Sequence, residues 1–300
     1  MDPAEPMSLS EAGRAAERHT GTRATGERRI AGAASVVSLS DGREVVVKRG
    51  SGPDAARAEA AGLRWLGEPG GAGDVPVPTV HGVDDTWLVI DYIPAGSPSV
   101  EAAEAFGRGL AALHARSAPA FGAAPPGGPT NAWIGLARMR NEPHDDWPTF
   151  YARCRVEPYV REGVDSGLFS PRQAAVFDEV CTRLPELAGP PEPPSRLHGD
   201  AWSGNVHWAA DGRVWLIDPA AHGGHRETDL AMLRLFGAPL LDHVLGAYRE
   251  KAQDAGRPLA PDHEARVPLH QLFPLLVHAV LFGGGYVGQA LTAAQAALRV

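Results

Sequence analysis

Residues 196–218 read RLHGDAWSGNVHWAADGRVWLID, and this stretch carries three polar side chains around one predicted turn. Asp200 follows a His-Gly pair, and Asn205 stands a short distance further along the chain. The dipeptide Asp211-Gly212 between apolar residues predicts a hairpin turn, and the second strand of that hairpin ends at Asp218. Any one of these polar residues alone would more often be a turn or capping residue. Their combination around one hairpin indicates a functional site instead.

The spacing from Asp200 to Asn205 is that of the kinase catalytic loop, H-R-D-x-x-x-x-N, in which the Asp is the base and the Asn binds a metal ion. Phosphoryl transfer requires an oriented nucleophile and neutralisation of the triphosphate charge. The carboxylate of Asp200 would orient the attacking hydroxyl and accept its proton. The oxygens of Asn205 and Asp218 would bind Mg²⁺, a hard cation that prefers oxygen ligands. The stretch therefore predicts an ATP-dependent phosphotransferase.

One lysine in the amino-terminal part of the chain supports this prediction. The chain has two lysines, Lys48 and Lys251, and all its other permanently basic side chains are arginines. Lys48 ends a Val-Val-Val run, as the ATP-binding lysine of kinases does. An exposed strand-end charge is the alternative interpretation, which the scarcity of lysine weakens. Glu59 in the following predicted helix would pair with Lys48, and Glu68 is a competing candidate.

Two further segments are candidates for contacts to ATP. Residues 30–35 read IAGAAS and offer one glycine, Gly32, where protein kinases have a glycine-rich loop. Ser35 would donate a hydrogen bond to phosphate, but a plain hairpin is an equally good interpretation. The backbone of Asp91, Tyr92 and Ile93 would form the interlobe connector that binds adenine.

The order of predicted elements gives the fold class. A short helix, a strand pair that turns at Asp41-Gly42, a helix and a further strand occupy the chain up to Ile93. Helices dominate from about residue 95 onward and are predicted after a capping box at Ser170 and at 101–116, 240–255 and 265–298. We expect an α+β, bilobal, protein-kinase-like fold. Its small β-rich lobe would comprise residues 1–93, and its larger, mainly helical lobe residues 94–300.

Composition excludes several classes of protein. The formal net charge of -8 and the absence of a basic run argue against a nucleic-acid partner. Two widely separated cysteines, Cys154 and Cys181, exclude a disulfide framework or a cysteine-based metal site. The first ten residues have neither the basic nor the apolar region of a signal peptide, and residues 272–287 are too short and too interrupted to span a bilayer. We expect a cytoplasmic protein without a membrane partner.

Several segments together resemble the fructosamine kinase (ketosamine-3-kinase) family, within the aminoglycoside-phosphotransferase and choline-kinase-like group. The most specific are HGDAWSGN at 198–205 and IDPAAHGGHRETDLAMLRLFG at 217–237. Residues 131–135, 145–155 and 281–286 also match, so the resemblance covers nearly the whole chain. Ala201 departs from the family pattern, which usually has Leu at this position.

The resemblance implies a specific reaction. ATP would phosphorylate the sugar 3-hydroxyl of a ketosamine, which is a fructose- or ribulose-type adduct of a small amine or a protein lysine. The phosphorylated adduct is unstable, so the amine would be recovered by deglycation. The resemblance also implies that Asp200 is the base, that Asn205 and Asp218 bind the metal ion, and that Lys48 binds ATP.

The segment after Asp218 argues against a protein kinase that is regulated by phosphorylation. Residues 219–227 contain no Ser, Thr or Tyr, so a phosphorylation-controlled activation loop is not expected. Trp202 and His222 are candidates for contact with the acceptor sugar, although either would equally serve a structural role, and Arg226 is expected to pair with Asp229. The alternatives are a phosphotransferase of the aminoglycoside or choline kinase type and a nucleotide-binding pseudokinase.

Overall fold

The amino-terminal part of the chain forms a five-stranded antiparallel sheet with a helix on each face. The computed structural model describes residues 9–30, 32–71 and 73–299. The strand order is β1-β2-β3-β5-β4. The elements are α1 Glu11–Thr20, β1 Ala24–Arg29, β2 Ala34–Leu39, β3 Glu44–Arg49, α2 Ala55–Leu66, β4 Val80–Val83 and β5 Trp87–Asp91.

Side-chain alternation along β3 assigns its residues to the two faces of the sheet. Val47 is buried on the face that packs against the alanines of α1. Lys48 is paired with Leu88, which is buried on the opposite face beneath α2. Because neighbouring residues of a strand point to opposite faces, Lys48 projects on the α2 side of the sheet.

The connector after β5 is bound to a hairpin of the helical part. The N–H of Gly96 donates to the carbonyl of Trp208 (2.7 Å), and the N–H of Ala210 donates to the carbonyl of Pro94 (2.8 Å). His207 Nε2 lies 3.0 Å from the carbonyl oxygen of Ile93. The predicted lobe boundary after residue 93 falls within this connector.

The remainder of the chain is mainly helical and contains three two-stranded ladders, β6 with β7, β8 with β11 and β9 with β10. Its helices are α3 Val100–Ala115, α4 Trp147–Phe150, α5 Glu157–Asp165, α6 Pro171–Leu187, α7 Glu227–Leu235, α8 Leu241–Asp254, α9 Val267–Phe282 and α10 Gly285–Ala297. Its strands are β6 Asn131–Ile134, β7 Ala137–Arg140, β8 Ser195–Leu197, β9 Val206–Trp208, β10 Val214–Leu216 and β11 His222–Gly224. A π-helical segment, Tyr151–Val156, joins α4 to α5.

Most predicted elements are confirmed, but the structure contains several elements that were not predicted and divides one predicted helix in two. The capping box at Ser170 begins α6 as expected. The strand β1 was not predicted, because its sequence, ATGERR, is polar and its residues are almost all exposed. The single helix predicted at 265–298 divides into α9 and α10. Gly283 (φ 62°, ψ −140°) and Gly284 (φ 57°, ψ −134°) adopt conformations available only to glycine and therefore interrupt the helix. No described helix is long and apolar enough to cross a membrane.

Candidate active site

A cavity of about 360 Å³ lies between the sheet and the helical part of the chain. It brings together half of the residues predicted to form the site, namely Lys48, Glu59, Asp200, Trp202, Asn205 and Asp218. Gly32, Ser35, Asp91, Tyr92, Ile93 and His222 are not among its lining residues. The predicted base, the predicted metal ligands and the predicted ATP-binding lysine therefore share one cavity.

Lys48 bridges two carboxylates. Its Nζ lies 2.7 Å from Glu59 Oε1 and 2.7 Å from Asp218 Oδ1. Glu59 is thus the partner of Lys48, whereas the competing candidate Glu68 pairs with Arg196. Burial alone would lower the pKa of Lys48, but the charges of Glu59 and Asp218 outweigh it and the pKa is raised. Lys48 is therefore a fixed positive charge at the sheet side of the cavity.

Asp200 has the electrostatic character of a general base. Burial raises its pKa to about 7, and the charge of Asp218 adds to this effect while the hydrogen bond from Asn205 opposes it. A carboxylate with a pKa near neutrality can accept a proton efficiently at neutral pH. The adjacent Ala201 is completely buried, so the departure from the family pattern at this position is a difference in packing.

The donor atoms around Asn205 fit a magnesium ion. Nδ2 of Asn205 donates to the carbonyl oxygen (2.9 Å) and to Oδ2 (2.8 Å) of Asp200. Because the amide nitrogen is engaged on that side, its oxygen Oδ1 is directed elsewhere as an acceptor. Asp218 offers a carboxylate whose side chain is 47% exposed, and its backbone is left-handed (φ 54°), a conformation uncommon for residues other than glycine. One amide and one carboxylate oxygen suit a hard cation.

The backbone before Asp200 is held by Asp229, for which the sequence predicted a different partner, Arg226. Asp229 is completely buried and accepts hydrogen bonds from the N–H of His198 (2.8 Å) and the N–H of Gly199 (3.0 Å). The expected pair between Arg226 and Asp229 is wrong, because Arg226 forms a bidentate pair with Glu192 at 2.7 and 2.6 Å. Asp229 is followed by the apolar residues Leu230, Ala231 and Met232, and this sequence pattern could have indicated that its carboxylate is buried.

Two predicted contact residues do not reach the cavity. Ser35 is buried and paired across the sheet with Val47, so its side chain lies on the α1 face, away from Lys48. His222 is buried in β11, where its Nδ1 lies 2.9 Å from the carbonyl oxygen of Ala220. Burial lowers the pKa of His222 to about 3, so this residue is a neutral part of the interior. Gly32 lies in the turn between β1 and β2 (φ 53°), and its role stays a prediction.

The aromatic rings of Trp202, His278 and Phe282 line part of the cavity, and Phe236, which is not a lining residue, packs among them. Trp202, which is 37% exposed, packs edge to face on Phe236, with ring centroids 5.8 Å apart. Phe236 is followed by His278 at 5.0 Å, and His278 by Phe282 at 5.6 Å. Among the described lining residues, those supplied by β6, the turn after it and α9 include no carboxylate, lysine or arginine. Apart from Trp202, this wall was not predicted from the sequence.

The hairpin β6–β7 connects the two parts of the chain across the cavity. Trp133 donates from Nε1 to the carbonyl of Pro53 (2.9 Å), in the loop that precedes α2. A Cβ atom added at Gly52 would meet the Trp133 ring at 2.2 Å. This contact between Trp133 and residues 52–53, which we term the hairpin clasp, braces the helix that carries Glu59.

A second cluster of possible metal ligands lies outside the cavity. Ligand atoms of His225, Glu227 and His270 come within 4.8 Å of one another. Arg266 already occupies the carboxylate of Glu227 with two hydrogen bonds of 3.0 and 2.7 Å. Because the guanidinium neutralises the carboxylate and would repel a cation, we interpret this cluster as structural.

Comparison with known proteins shows the family to which the chain belongs. The sequence matches the fructosamine kinase family over residues 11–299. A Thermus thermophilus protein named as a probable ketoamine kinase is 35% identical over 241 residues, which are 79% of this chain and 80% of that protein. The crystal structure of a Thermobifida fusca protein assigned as a fructosamine-3-kinase is 43% identical and superposes with a TM-score of 0.88 over 98% of this chain and 100% of that one.

More distant structures share the fold. An aminoglycoside phosphotransferase with bound ADP gives a TM-score of 0.61 at 12% identity, over 96% of this chain and 98% of that one. The predicted α+β, protein-kinase-like fold is therefore confirmed. The chain belongs to the fructosamine kinase family and is a kinase by that membership.

Proposed function

We propose that the chain uses ATP and Mg²⁺ to phosphorylate the sugar 3-hydroxyl of ketosamines and so starts their deglycation. The observation that carries this proposal is the position of Asp200, a carboxylate with a pKa raised to about 7, in one cavity with Lys48 and Asp218. The family membership supplies the acceptor class, since a named relative is a probable ketoamine kinase.

Each polar side chain of the cavity has a proposed role in this reaction. Asp200 orients the sugar hydroxyl and accepts its proton as the phosphoryl group is transferred. Lys48, held by Glu59, binds phosphate oxygens of ATP. Asn205 and Asp218 would hold Mg²⁺, which would neutralise charge on the triphosphate. The connector at 91–93 would bind adenine through its backbone.

The acceptor side of the cavity suits the sugar part of a ketosamine. Aminoglycosides and choline are cationic, but a ketosamine also carries a basic amine, so the choice among these acceptors rests on the family membership and not on charge. The wall formed by β6 and α9 offers no carboxylate among its described lining residues. The apolar ring face of a sugar suits the exposed aromatic surface of Trp202 and Phe282. A pseudokinase is disfavoured because the chain retains a full set of catalytic side chains.

A substrate panel with matched variants tests the proposal. Purified protein is assayed for ADP release with ATP, Mg²⁺ and either fructosyl-lysine, ribulosyl-lysine, an aminoglycoside or choline, and the phosphorylated carbon is located by NMR. We expect turnover of the ketosamines with phosphate at carbon 3. Asp200→Asn should abolish turnover and keep ATP binding, whereas Asp165→Asn, an exposed change on α5, should be silent. Turnover of an aminoglycoside or choline with no turnover of either ketosamine would refute the proposal.

A further inference from the structure

Asn141 is a buried polar residue in the lining of the cavity, and it has no role in the chemistry described above. It follows β7 directly, is 1% exposed and is one of the lining residues of the cavity. Its backbone is fixed, because its N–H donates to the carbonyl of Thr130 across the hairpin at 2.7 Å. The side chain is therefore held at a defined position in the cavity wall.

The orientation of the Asn141 amide is determined by Arg155. The Nη2 of Arg155 donates to Asn141 Oδ1 at 2.8 Å. Because a guanidinium can only donate hydrogen bonds, the amide oxygen must face Arg155 and the amide nitrogen must face away from it. The nitrogen, Nδ2, is buried and has no hydrogen-bond partner among the described residues. A buried donor without a partner is costly, so a partner supplied by a ligand would be bound with a corresponding gain.

Arg155 is itself held in an unusual way. It lies in the π-helical segment Tyr151–Val156, a rare conformation that often occurs at functional sites. Its guanidinium is packed between Phe150 (4.6 Å) and Phe273 (5.3 Å), and its Nη1 donates to the carbonyl of Arg140 at 2.7 Å.

No carboxylate of the described chain forms an ion pair with Arg155, and burial lowers its pKa to about 10, which leaves it charged at neutral pH. Burying an unpaired charge is expensive. Its retention is explained if the guanidinium serves to aim and polarise the amide of Asn141.

We propose that Asn141 Nδ2 donates a hydrogen bond to a hydroxyl or keto oxygen of the acceptor sugar and is a determinant of ketosamine specificity. This inference rests on the proposed function and adds a binding residue to the same site. Asp200 accepts a proton from the sugar at one point, and Asn141 donates to the sugar at another. Two contacts of opposite polarity fix the orientation of the sugar, which a single contact would leave free to rotate.

Two substitutions at Asn141 test the proposal. Asn141→Asp keeps the shape of the side chain and the oxygen that accepts from Arg155, but replaces the donor by an acceptor. Asn141→Leu removes both groups at a similar volume. The matched control is Asn131→Asp, which makes the same change on the exposed start of β6, on the same hairpin and outside the lining of the cavity. KM for fructosyl-lysine, KM for ATP, kcat and the melting temperature are measured for each protein.

We expect both Asn141 variants to raise KM for fructosyl-lysine about 10-fold, the loss expected for one buried hydrogen bond, with KM for ATP within twofold of wild type. Asn141→Asp should melt no lower than wild type, since its carboxylate still accepts from Arg155. Asn131→Asp should change neither KM. If either variant folds like wild type and keeps its KM for fructosyl-lysine within twofold, or if both KM values rise together, Asn141 has a structural role only.

A direct binding measurement separates this inference from the proposed function. Calorimetric titration of fructosyl-lysine into the protein, in the presence of a non-hydrolysable ATP analogue, reports the sugar contact without turnover. A wild-type protein that binds fructosyl-lysine but does not phosphorylate it would remove the proposed function, and weaker binding by Asn141→Asp would still support the donor. Equal binding by wild type and both variants, or no binding by wild type, would overturn the inference.

Discussion

Replacement of Gly52 by alanine would test how firmly the hairpin clasp braces α2. The added Cβ would lie 2.2 Å from Cζ2 and 2.5 Å from Cη2 of Trp133. Ordinary contact begins near 3.4 Å, so the ring or the loop would have to move by about 1.2 Å. The ring is tethered by its hydrogen bond to Pro53 (2.9 Å), and Arg138 lies over its face at 5.6 Å.

The size of the effect follows from these contacts. Overpacking of this kind costs about 1–3 kcal/mol, and loss of the indole hydrogen bond costs about 1 kcal/mol. A loss of about 2 kcal/mol would lower the melting temperature by about 3 °C in a chain of this length. Because the loop leads into the helix that carries Glu59, and because Trp133 lines the cavity, a displacement near 1 Å would also lower kcat/KM, by about 10- to 100-fold.

The assay compares Gly52→Ala with Gly246→Ala. Gly246 lies in α8, and a Cβ added there meets nothing within 4 Å. The control should keep its activity and melt at the same temperature or higher, since alanine favours helix by about 1 kcal/mol over glycine. If Gly52→Ala retains kcat/KM within twofold and melts like wild type, the ring swings aside freely and the clasp does not position α2.

Three further perturbations have defined outcomes. Asp218→Asn should raise the Mg²⁺ concentration for half-maximal activity about 10-fold, because a neutral amide is a weaker ligand; an unchanged Mg²⁺ titration would contradict its role. Asp229→Asn should lower the free energy of unfolding by about 3 kcal/mol, since an N–H group would face the donors of the catalytic loop; an unchanged urea midpoint would argue against that role. Burial lowers the pKa of His225 from 6.5 to about 3. As the pH falls below 6.5, the unfolded chain therefore binds a proton at this residue before the folded chain does. The free energy of unfolding then decreases by about 1.4 kcal/mol per pH unit. His225→Gln should make this acid limb shallower in unfolding measured from pH 7 to pH 5, and an identical slope would mean that His225 is not buried as a neutral group.

The parts of the site that could be predicted from the sequence are those defined by local spacing. Asp200 and Asn205 are five positions apart in one loop, and Asp218 ends a hairpin that Asp211-Gly212 marks. Lys48 could be predicted from composition, because the chain has only two lysines and Lys48 ends an apolar run. The structure brings these four predicted site residues into one cavity.

The parts that could not be predicted depend on contacts between distant segments. Trp133 and Pro53 are 80 positions apart, and no local sequence pattern indicates that the hairpin β6–β7 contacts the loop before α2. The face on which Ser35 lies depends on the register between β2 and β3, and a shift by one residue reverses it. The orientation of Asn141 depends on a buried arginine in a π-helical segment, for which helix periodicity gives no signal.

The contact between Lys48 and Asp218 has a consequence for how ligands would enter the cavity. In the proposed roles, magnesium would bind the carboxylate of Asp218 and phosphate would bind the ammonium of Lys48. Binding of both ligands would therefore replace the ion pair between these two side chains by two new ionic contacts. Phosphate alone would leave Asp218 without its counterion, and magnesium alone would leave Lys48 with one of its two carboxylates, Glu59. Each ligand would therefore strengthen the binding of the other by the same factor, as reciprocal linkage requires. The empty enzyme would discriminate against uncomplexed ATP and free magnesium and select the preassembled MgATP complex.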